Sequence, residues 1–295
     1  MKSHPQRILI LGSTGLLGQA LVKYCQQHQL EYMGVATQTS PAIDVTQPNT
    51  VKTVIKSFQP TVVINTVALV NLGQCENNPT LAEAINAQPA NYLSAWANTY
   101  QYKLIQISTD HYYTGHQNQK HAEDTPVVLL NEYARTKYQA EVFALNHPSS
   151  LVVRTNIVGF RGIDGKPTFV EWAIETLTHK KPLKLFHDFY TSSIDVSTFS
   201  SLLFELIAKK TTGIINLASH EVTSKQQFVT ALAQKLNLDA SYAEIGGVFE
   251  APSTIQRAES LGLDVHRAEK VLETTCPTLE QVVTQLAHEY TQNNK

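Results

Sequence analysis

Cysteine is scarce. The 295 residues hold three, and Cys25, Cys75 and Cys276 have no paired spacing. An odd, scattered set excludes a disulfide framework or a zinc knuckle as the organising device, and a reducing, cytoplasmic setting is expected. Long hydrophobic runs are missing too. None approaches the roughly 18 residues that cross a bilayer, so no membrane partner is expected. The opening stretch, MKSHPQRILILGSTG, has an apolar run too short for a secretory leader and no small-residue cleavage site. An excess of either charge is also lacking: the formal net charge is −2, which gives nucleic acid no basic field to bind. Repeats, low-complexity tracts and linkers do not occur. His111, His116 and His121 recur every five residues, not the four that align ligands on a helix face, and no metal is expected there. Cys75 stands without a histidine partner and fits a buried small side chain better than a nucleophile. Glu123 and Asp124 fit a solvated loop, and Trp172 suits either core packing or a cleft wall.

What is present is a rhythm of short apolar runs and amphipathic stretches. Strands are predicted at 7–11, 32–36, 61–65, 103–107 and 151–154. Helices are predicted at 16–29, 49–58, about 79–100 and 131–146. Strands that are apolar throughout and alternate with helices indicate a parallel sheet covered on both faces, an α/β fold. After Thr155 the rhythm loosens. Helices are expected at 169–178, 196–209, 224–236 and 279–290, a short strand at 183–186, and a strand at 213–217 that returns to the main sheet. This divides the chain into 1–155 with a return segment at about 194–218, and a smaller C-terminal lobe made of 156–193 and 219–295.

Gly12-Ser13-Thr14-Gly15-Leu16-Leu17-Gly18 lies between the first strand and first helix. One glycine there permits the tight turn, another lets the backbone approach a pyrophosphate, and the third lets helix pack on strand. Free amides and the helix dipole at that end attract phosphate. Three spaced glycines alone mark any turn; their place in a βαβ pattern points to a Rossmann doubly wound sheet. The second strand ends in Thr37-Gln38-Thr39-Ser40, with neither the acid that binds a ribose 2′-hydroxyl nor an arginine for a 2′-phosphate. Both NADPH and NADH remain open as cofactor.

Tyr133 and Lys137 stand one helical turn apart on one face. A tyrosine normally titrates near pH 10, and a neighbouring ammonium favours the phenolate, making the phenol a better proton donor to a carbonyl oxygen. Ser108-Thr109-Asp110 follows the fourth strand at the end where open α/β sheets bind ligands. In this order, the glycine turn, Ser-Thr-Asp and Tyr-x-x-x-Lys resemble the extended short-chain dehydrogenase/reductases, and within them the dTDP-4-dehydrorhamnose reductase family. Further matches are Asp44-Val45-Thr46, Asn65 to Ala68, Gln74-Cys75-Glu76, Ile85-Asn86-Ala87, Leu130 to Tyr133, Arg154-Thr155, Arg257 and Leu261 to Asp264.

The resemblance implies hydride transfer from a reduced nicotinamide to the C4 ketone of a nucleotide-linked 6-deoxy-4-keto sugar. It gives Tyr133 the proton, Lys137 the tuning of that tyrosine and the nicotinamide ribose, and Thr109 the carbonyl. The cofactor residues it implies are Gly12, Thr14, Gly15, Leu16, Leu17, Gly18, Asp44, Val45, Val67, Ala68 and Leu69, with Tyr133 and Lys137. Thr109, Asp110 and Ile157 fall to the substrate, and the C-terminal lobe becomes the substrate-binding one. The chain departs from the family pattern at Ile157, where tryptophan is common, and at His111, Ser193, Ser260 and Gly73. Three readings stay open: the reductase, a sugar-nucleotide epimerase or dehydratase with the same core, and a cofactor-binding regulatory subunit like that of methionine adenosyltransferase. A homodimer is compatible with each.

Overall fold

The computed structural model describes residues 6–248, 250 and 255–293; residues 1–5, within the stretch read for a leader, lie outside them. Two compact units form. One comprises Met1–Thr109, Leu129–Arg154 and Leu206–Ile215; the other comprises Asp110–Val128, Thr155–Glu205 and Asn216–Lys295.

In the first unit the chain runs β1 (Arg7–Leu11), α1 (Leu16–Gln27), β2 (Glu31–Val35), α2 (Pro48–Phe58), β3 (Val62–Asn65), α3 (Leu72–Asn77), α4 (Pro79–Asn86), α5 (Gln88–Tyr100), β4 (Lys103–Ile107), α6 (Glu132–Leu145) and β5 (Leu151–Arg154). The six-stranded sheet has the order Gly213–Asn216, β5, β4, β3, β1, β2. The pairs β1–β2, β1–β3, β3–β4 and β4–β5 are parallel. The order reverses between β1 and β3, which creates a switch point at their carboxyl ends. Residues 8–11, 62–65, 104–107 and 151–154 are all buried, which is why these strands read as continuous apolar runs. Leu9, Leu11, Val63, Leu104 and Val152 share a core with α2, α5 and α6.

The expected helix over 79–100 is two helices preceded by a third. Pro89 in the first turn of α5 has no N–H to continue the ladder from α4, so the chain breaks at Ala87. The short α3 starts where the Asn71 side chain accepts the Gln74 N–H at 2.9 Å.

The second unit contains α7 (Phe169–Thr178), most of α8 (Val196–Ala208), α9 (Lys225–Lys235), α10 (His266–Leu272) and α11 (Leu279–Asn293), with several strands of two or three residues. Capping boxes at Thr168/Glu171 and Ser224/Gln227 start α7 and α9. Val170, Ile174 and Leu177 pack with Phe228, Leu232 and Val283. The units are nearly equal in size, because 110–128 belongs to the second one. Val128 N–H bonds the Tyr112 carbonyl, His121 N–H the Gly262 carbonyl and Asp264 N–H the His121 carbonyl, at 2.8, 2.9 and 2.9 Å. Among the described residues no helix is long and apolar enough to cross a membrane.

A buried ion pair fastens α6 to β5. Arg154 and Glu141 meet at 2.7 Å with side chains 2% and 1% exposed, and Ser108 Oγ donates to Glu141 Oε1 at 2.5 Å. Removing one partner of such a pair strands the other charge, at a cost of about 3–5 kcal/mol. Arg154→Met should therefore lower the unfolding free energy by about that much in urea titrations, and adding Glu141→Leu should recover part of it. A loss below about 1 kcal/mol in the single variant contradicts the pair's role.

Candidate active site

The glycine turn sits at the switch point. Gly12 has φ 86°, in the left-handed region that favours glycine, and a Cβ there would lie 2.6 Å from Thr66 Oγ1. That hydroxyl in turn donates to the Leu11 carbonyl at 2.7 Å, tying β1 to the loop after β3. A Cβ on Gly18 would lie 2.1 Å from the Gly12 carbonyl oxygen, so glycine there is what lets α1 pack on the turn. Gly15 differs. It caps α1 in ordinary extended backbone, and an added Cβ would meet only the Gly12 oxygen, at 3.3 Å. The fold does not require glycine at 15; its bareness leaves the amide end of α1 open.

A cleft of about 280 Å³ opens there, lined by Gly12, Thr14, Gly15, Asp44, Val45, Val67 and Ala68, together with Ala36, Thr37, Ile43, Thr66 and Ile85. Of the residues the resemblance gives to a cofactor, Leu16, Leu17, Gly18, Leu69, Tyr133 and Lys137 are not in its lining. Leu17 and Gly18 are buried on the inner side of α1. Leu69 packs beside Cys75 and Tyr133, with its N–H and C=O both held by Asn86, at 2.7 and 3.2 Å.

Tyr133, Lys137 and Glu141 follow at intervals of four along α6 and share a face. Asn131 sets where that face begins by accepting the Ala134 N–H at 2.9 Å. Lys137 is 3% exposed and donates from Nζ to the Ile107 carbonyl at 2.7 Å. Burial draws its ammonium down to about 8, with the Glu141 carboxylate opposing the fall. The lysine is thus anchored two residues before Thr109, which is itself buried. Ser108 Oγ is committed to Glu141. Glu141 and Gln106 went unread in the sequence: a lone acid four residues past a lysine is ordinary helix surface, and a single glutamine does not break a strand pattern. Cys75 is buried and its thiol is raised above its usual range, chiefly by burial.

Asp110 and Ile157 lie in the second unit. Asp110 Oδ2 accepts from Asn156 Nδ2 at 2.7 Å, and Asn156 Oδ1 accepts from Ser193 at 2.7 Å. Ile157 pairs with Ile194 in a short parallel ladder. Lys225 Nζ stands 4.6 Å from the centre of the Phe169 ring; burial brings it to about 8 against the pull of Asp110. His111 is lowered to about 4 by burial and by Lys225 and Arg257. Glu123 is not merely solvated: it accepts the Asn216 N–H at 2.9 Å. Trp172 is exposed, with its ring 6.1 Å from that of Phe169. Among the described residues no group of three or more His, Cys, Asp or Glu could hold a metal ion.

The glycines make separable predictions. Gly18→Ala forces the helix off the turn; overpacking costs about 1–3 kcal/mol and should lower Tm by about 2–10 °C. Gly15→Val should lower Tm by no more than about 3 °C, since valine is a poorer N-cap by about 1 kcal/mol, yet weaken NADPH and NADH binding at least tenfold, about 1.4 kcal/mol. Calorimetry and nucleotide titration separate the two; a Gly15→Val protein with parental affinity removes the turn from the site.

The chain is similar to known proteins in sequence and in fold. The chain is 24% identical over 281 residues to a probable low-salt glycan biosynthesis reductase, Agl14, of Haloferax volcanii, spanning 92% of this chain and 94% of the relative. It is 27% identical over 281 residues to methionine adenosyltransferase 2 subunit beta of Bos taurus, spanning 90% and 82%. Its fold is similar to a crystal structure of dTDP-4-dehydrorhamnose reductase from Bacillus anthracis in complex with NADP, with a TM-score of 0.87 at 20% identity, covering 97% of this chain and all of that one. The family model described as the RmlD substrate binding domain matches residues 6–292, and the chain belongs to that family, within the extended short-chain dehydrogenase/reductases.

Proposed function

We propose that the chain is an NAD(P)H-dependent reductase of a nucleotide-linked 4-keto-6-deoxy sugar, with dTDP-linked sugars the first to test. The observation that carries this reading is the buried Lys137 ammonium. It is fixed on the Ile107 carbonyl, one helical turn from Tyr133, at the root of the segment bearing Thr109. A desolvated cation so placed favours the phenolate of its neighbour over the phenol, so the tyrosine releases its proton more readily.

The cleft at the switch point suits a dinucleotide, because the open amide face at Gly15 is a cradle that a side chain would fill. The backbone at the start of α1, from Gly15 through Leu16 to Leu17, would hold the pyrophosphate, Asp44 and Val45 would flank the adenine, and Val67 and Ala68 would line the opposite wall. When bound, a reduced nicotinamide supplies the hydride for the ketone carbon. Tyr133 then gives its proton to the carbonyl oxygen, Lys137 holds the nicotinamide ribose, and Thr109 orients the carbonyl by a hydrogen bond. The second unit takes the sugar nucleotide, with Asp110 and Ile157 among its contacts; isoleucine in place of an aromatic wall alters preference among sugars rather than the chemistry.

The relative named as a subunit of methionine adenosyltransferase supports a second reading, a regulatory partner. The buried trio of Thr109, Tyr133 and Lys137 favours catalysis, since nucleotide binding alone does not need all three. The test is a panel of dTDP-, UDP-, GDP- and CDP-linked 4-keto-6-deoxy sugars with reduced cofactor, and Tyr133→Phe as the blank. At least one sugar should be reduced, and the variant should lose about 10²–10⁴-fold in turnover with NADPH affinity within threefold of the parent. Tight NADPH binding with every sugar inert transfers the case to the regulatory reading.

A further inference from the structure

Two amide side chains interrupt the apolar centre of the sheet. Asn65 ends β3, Gln106 is the penultimate residue of β4, and they are partners in register. Both are fully buried. A buried amide left without partners costs on the order of 1–3 kcal/mol, so a matched pair inside a sheet needs a reason. Their hydrogen bonds all run one way. The Val67 N–H donates to Asn65 Oδ1 at 3.2 Å; Asn65 Nδ2 donates to Gln106 Oε1 at 2.9 Å; Gln106 Nε2 donates to the Ile107 carbonyl at 3.0 Å. That carbonyl is the one holding the Lys137 ammonium at 2.7 Å. The chain of bonds therefore begins at a residue lining the cleft and ends at the lysine. A second tie runs beside it. Asn86 clamps both backbone groups of Leu69 and donates to Thr136 Oγ1 at 3.0 Å. Residues 67–69 are thus fastened to two consecutive positions of α6.

We propose that Gln106 and Asn65 are positioning residues that couple occupancy of the cleft at Val67 to the placement of the Lys137 ammonium. The consequence for turnover rests on the reductase reading; the coupling itself does not. Aligned amides polarise one another, so a change at the Val67 amide is felt at the far carbonyl. Gln106 also competes with the ammonium for that carbonyl and fixes its direction. Within the first unit the charged and titratable groups facing Lys137 are Tyr133 and Glu141 on its own helix and, from β5, Arg154, which neutralises Glu141. From β3 and β4, among the described residues, come Asn65 and Gln106, neither of them charged, and Ser108 follows β4.

The sign follows. Removing the Gln106 donor leaves the ammonium as the carbonyl's remaining side-chain donor, which favours the charged lysine and raises its titration above about 8. A carboxylate at the same place raises it further. The experiment is carbon-13 NMR of protein carrying ε-labelled lysine, with the Lys137 signal assigned by Lys137→Ala, followed against pH with and without NADPH. The ionisation constant of Lys137 should fall about threefold in Gln106→Met and at least tenfold in Gln106→Glu. Saturating NADPH should change that constant at least twofold in the parent and by a clearly smaller factor in Gln106→Met, where only the direct contact of Lys137 with the ribose remains. On a sugar that is turned over, kcat should fall roughly 5–50-fold in Gln106→Met with KM within threefold, and the alkaline limb of kcat should move up with the lysine. If Gln106→Met does not fold, Gln106→Glu keeps the acceptor for Asn65 and carries the test through its own titration and its NADPH response. Lysine titrations that overlay the parent in the variants overturn the proposal. Inert sugars with a shifted lysine leave the coupling standing and defeat the reductase reading alone.

Discussion

An ammonium withdrawn from water has to be met by fixed partners, and the burial of Lys137 sets the demands that the first unit satisfies. Its carbonyl partner belongs to Ile107, so β4 must end there and α6 must lie across that end. The Glu141 carboxylate that supports its charge would itself be an uncompensated buried ion without Arg154. That requirement brings β5 into the arrangement, and Ser108 satisfies a further lone pair of the carboxylate. Three elements, β4, β5 and α6, are therefore organised around one lysine, and the face of α6 that carries Tyr133 is a by-product of solving that electrostatic problem.

The cleft is built by a different constraint, steric rather than electrostatic. The sheet reverses its order between β1 and β3, so their carboxyl ends are not capped by one crossover. Gly12 and Gly18 hold the turn tightly against α1, while Gly15 contributes only openness. Thr66 ties this turn to the loop that carries Val67 and Ala68. The same loop is bound to α6 through Asn65, Gln106 and Asn86. Cleft and lysine are two solutions joined by amide hydrogen bonds, which is why a change of occupant on one side can reach the other.

Much of this was legible in the residues. The parallel sheet shows in sequence because strands buried on both faces admit few polar residues, and the glycine turn because Gly12 and Gly18 answer real close approaches. Spacing puts Tyr133 and Lys137 on one helix face, but chance produces that pattern too, and they stand out only beside the glycine turn and Ser108-Thr109-Asp110. Other features were hidden for physical reasons. A helix of six residues spans fewer than two turns and a strand of two a single repeat, too little to establish a period, so α3 and the small ladders of the second unit leave no pattern. The break at Ala87 had a signal in Pro89, outweighed by the helix-forming residues around it. Gln106 and Glu141 are single polar side chains whose meaning lies in partners far away in sequence, at Asn65 and Arg154. The 110–128 loop could not be assigned to the second unit beforehand, because the bonds that place it there reach residues past 260.

The central claim is that Tyr133 and Lys137 serve a reduction at a sugar carbonyl, and isotopic tracing tests it most directly. Reduced nicotinamide cofactor carrying two deuterons at C4 should be incubated with a dTDP-linked 4-keto-6-deoxy sugar and the protein, and the product sugar analysed by mass spectrometry and proton NMR. The account predicts one deuteron per product molecule, carried on C4 of the sugar, with the matching hydroxyl proton drawn from solvent. Product formed without deuterium at that carbon would contradict it.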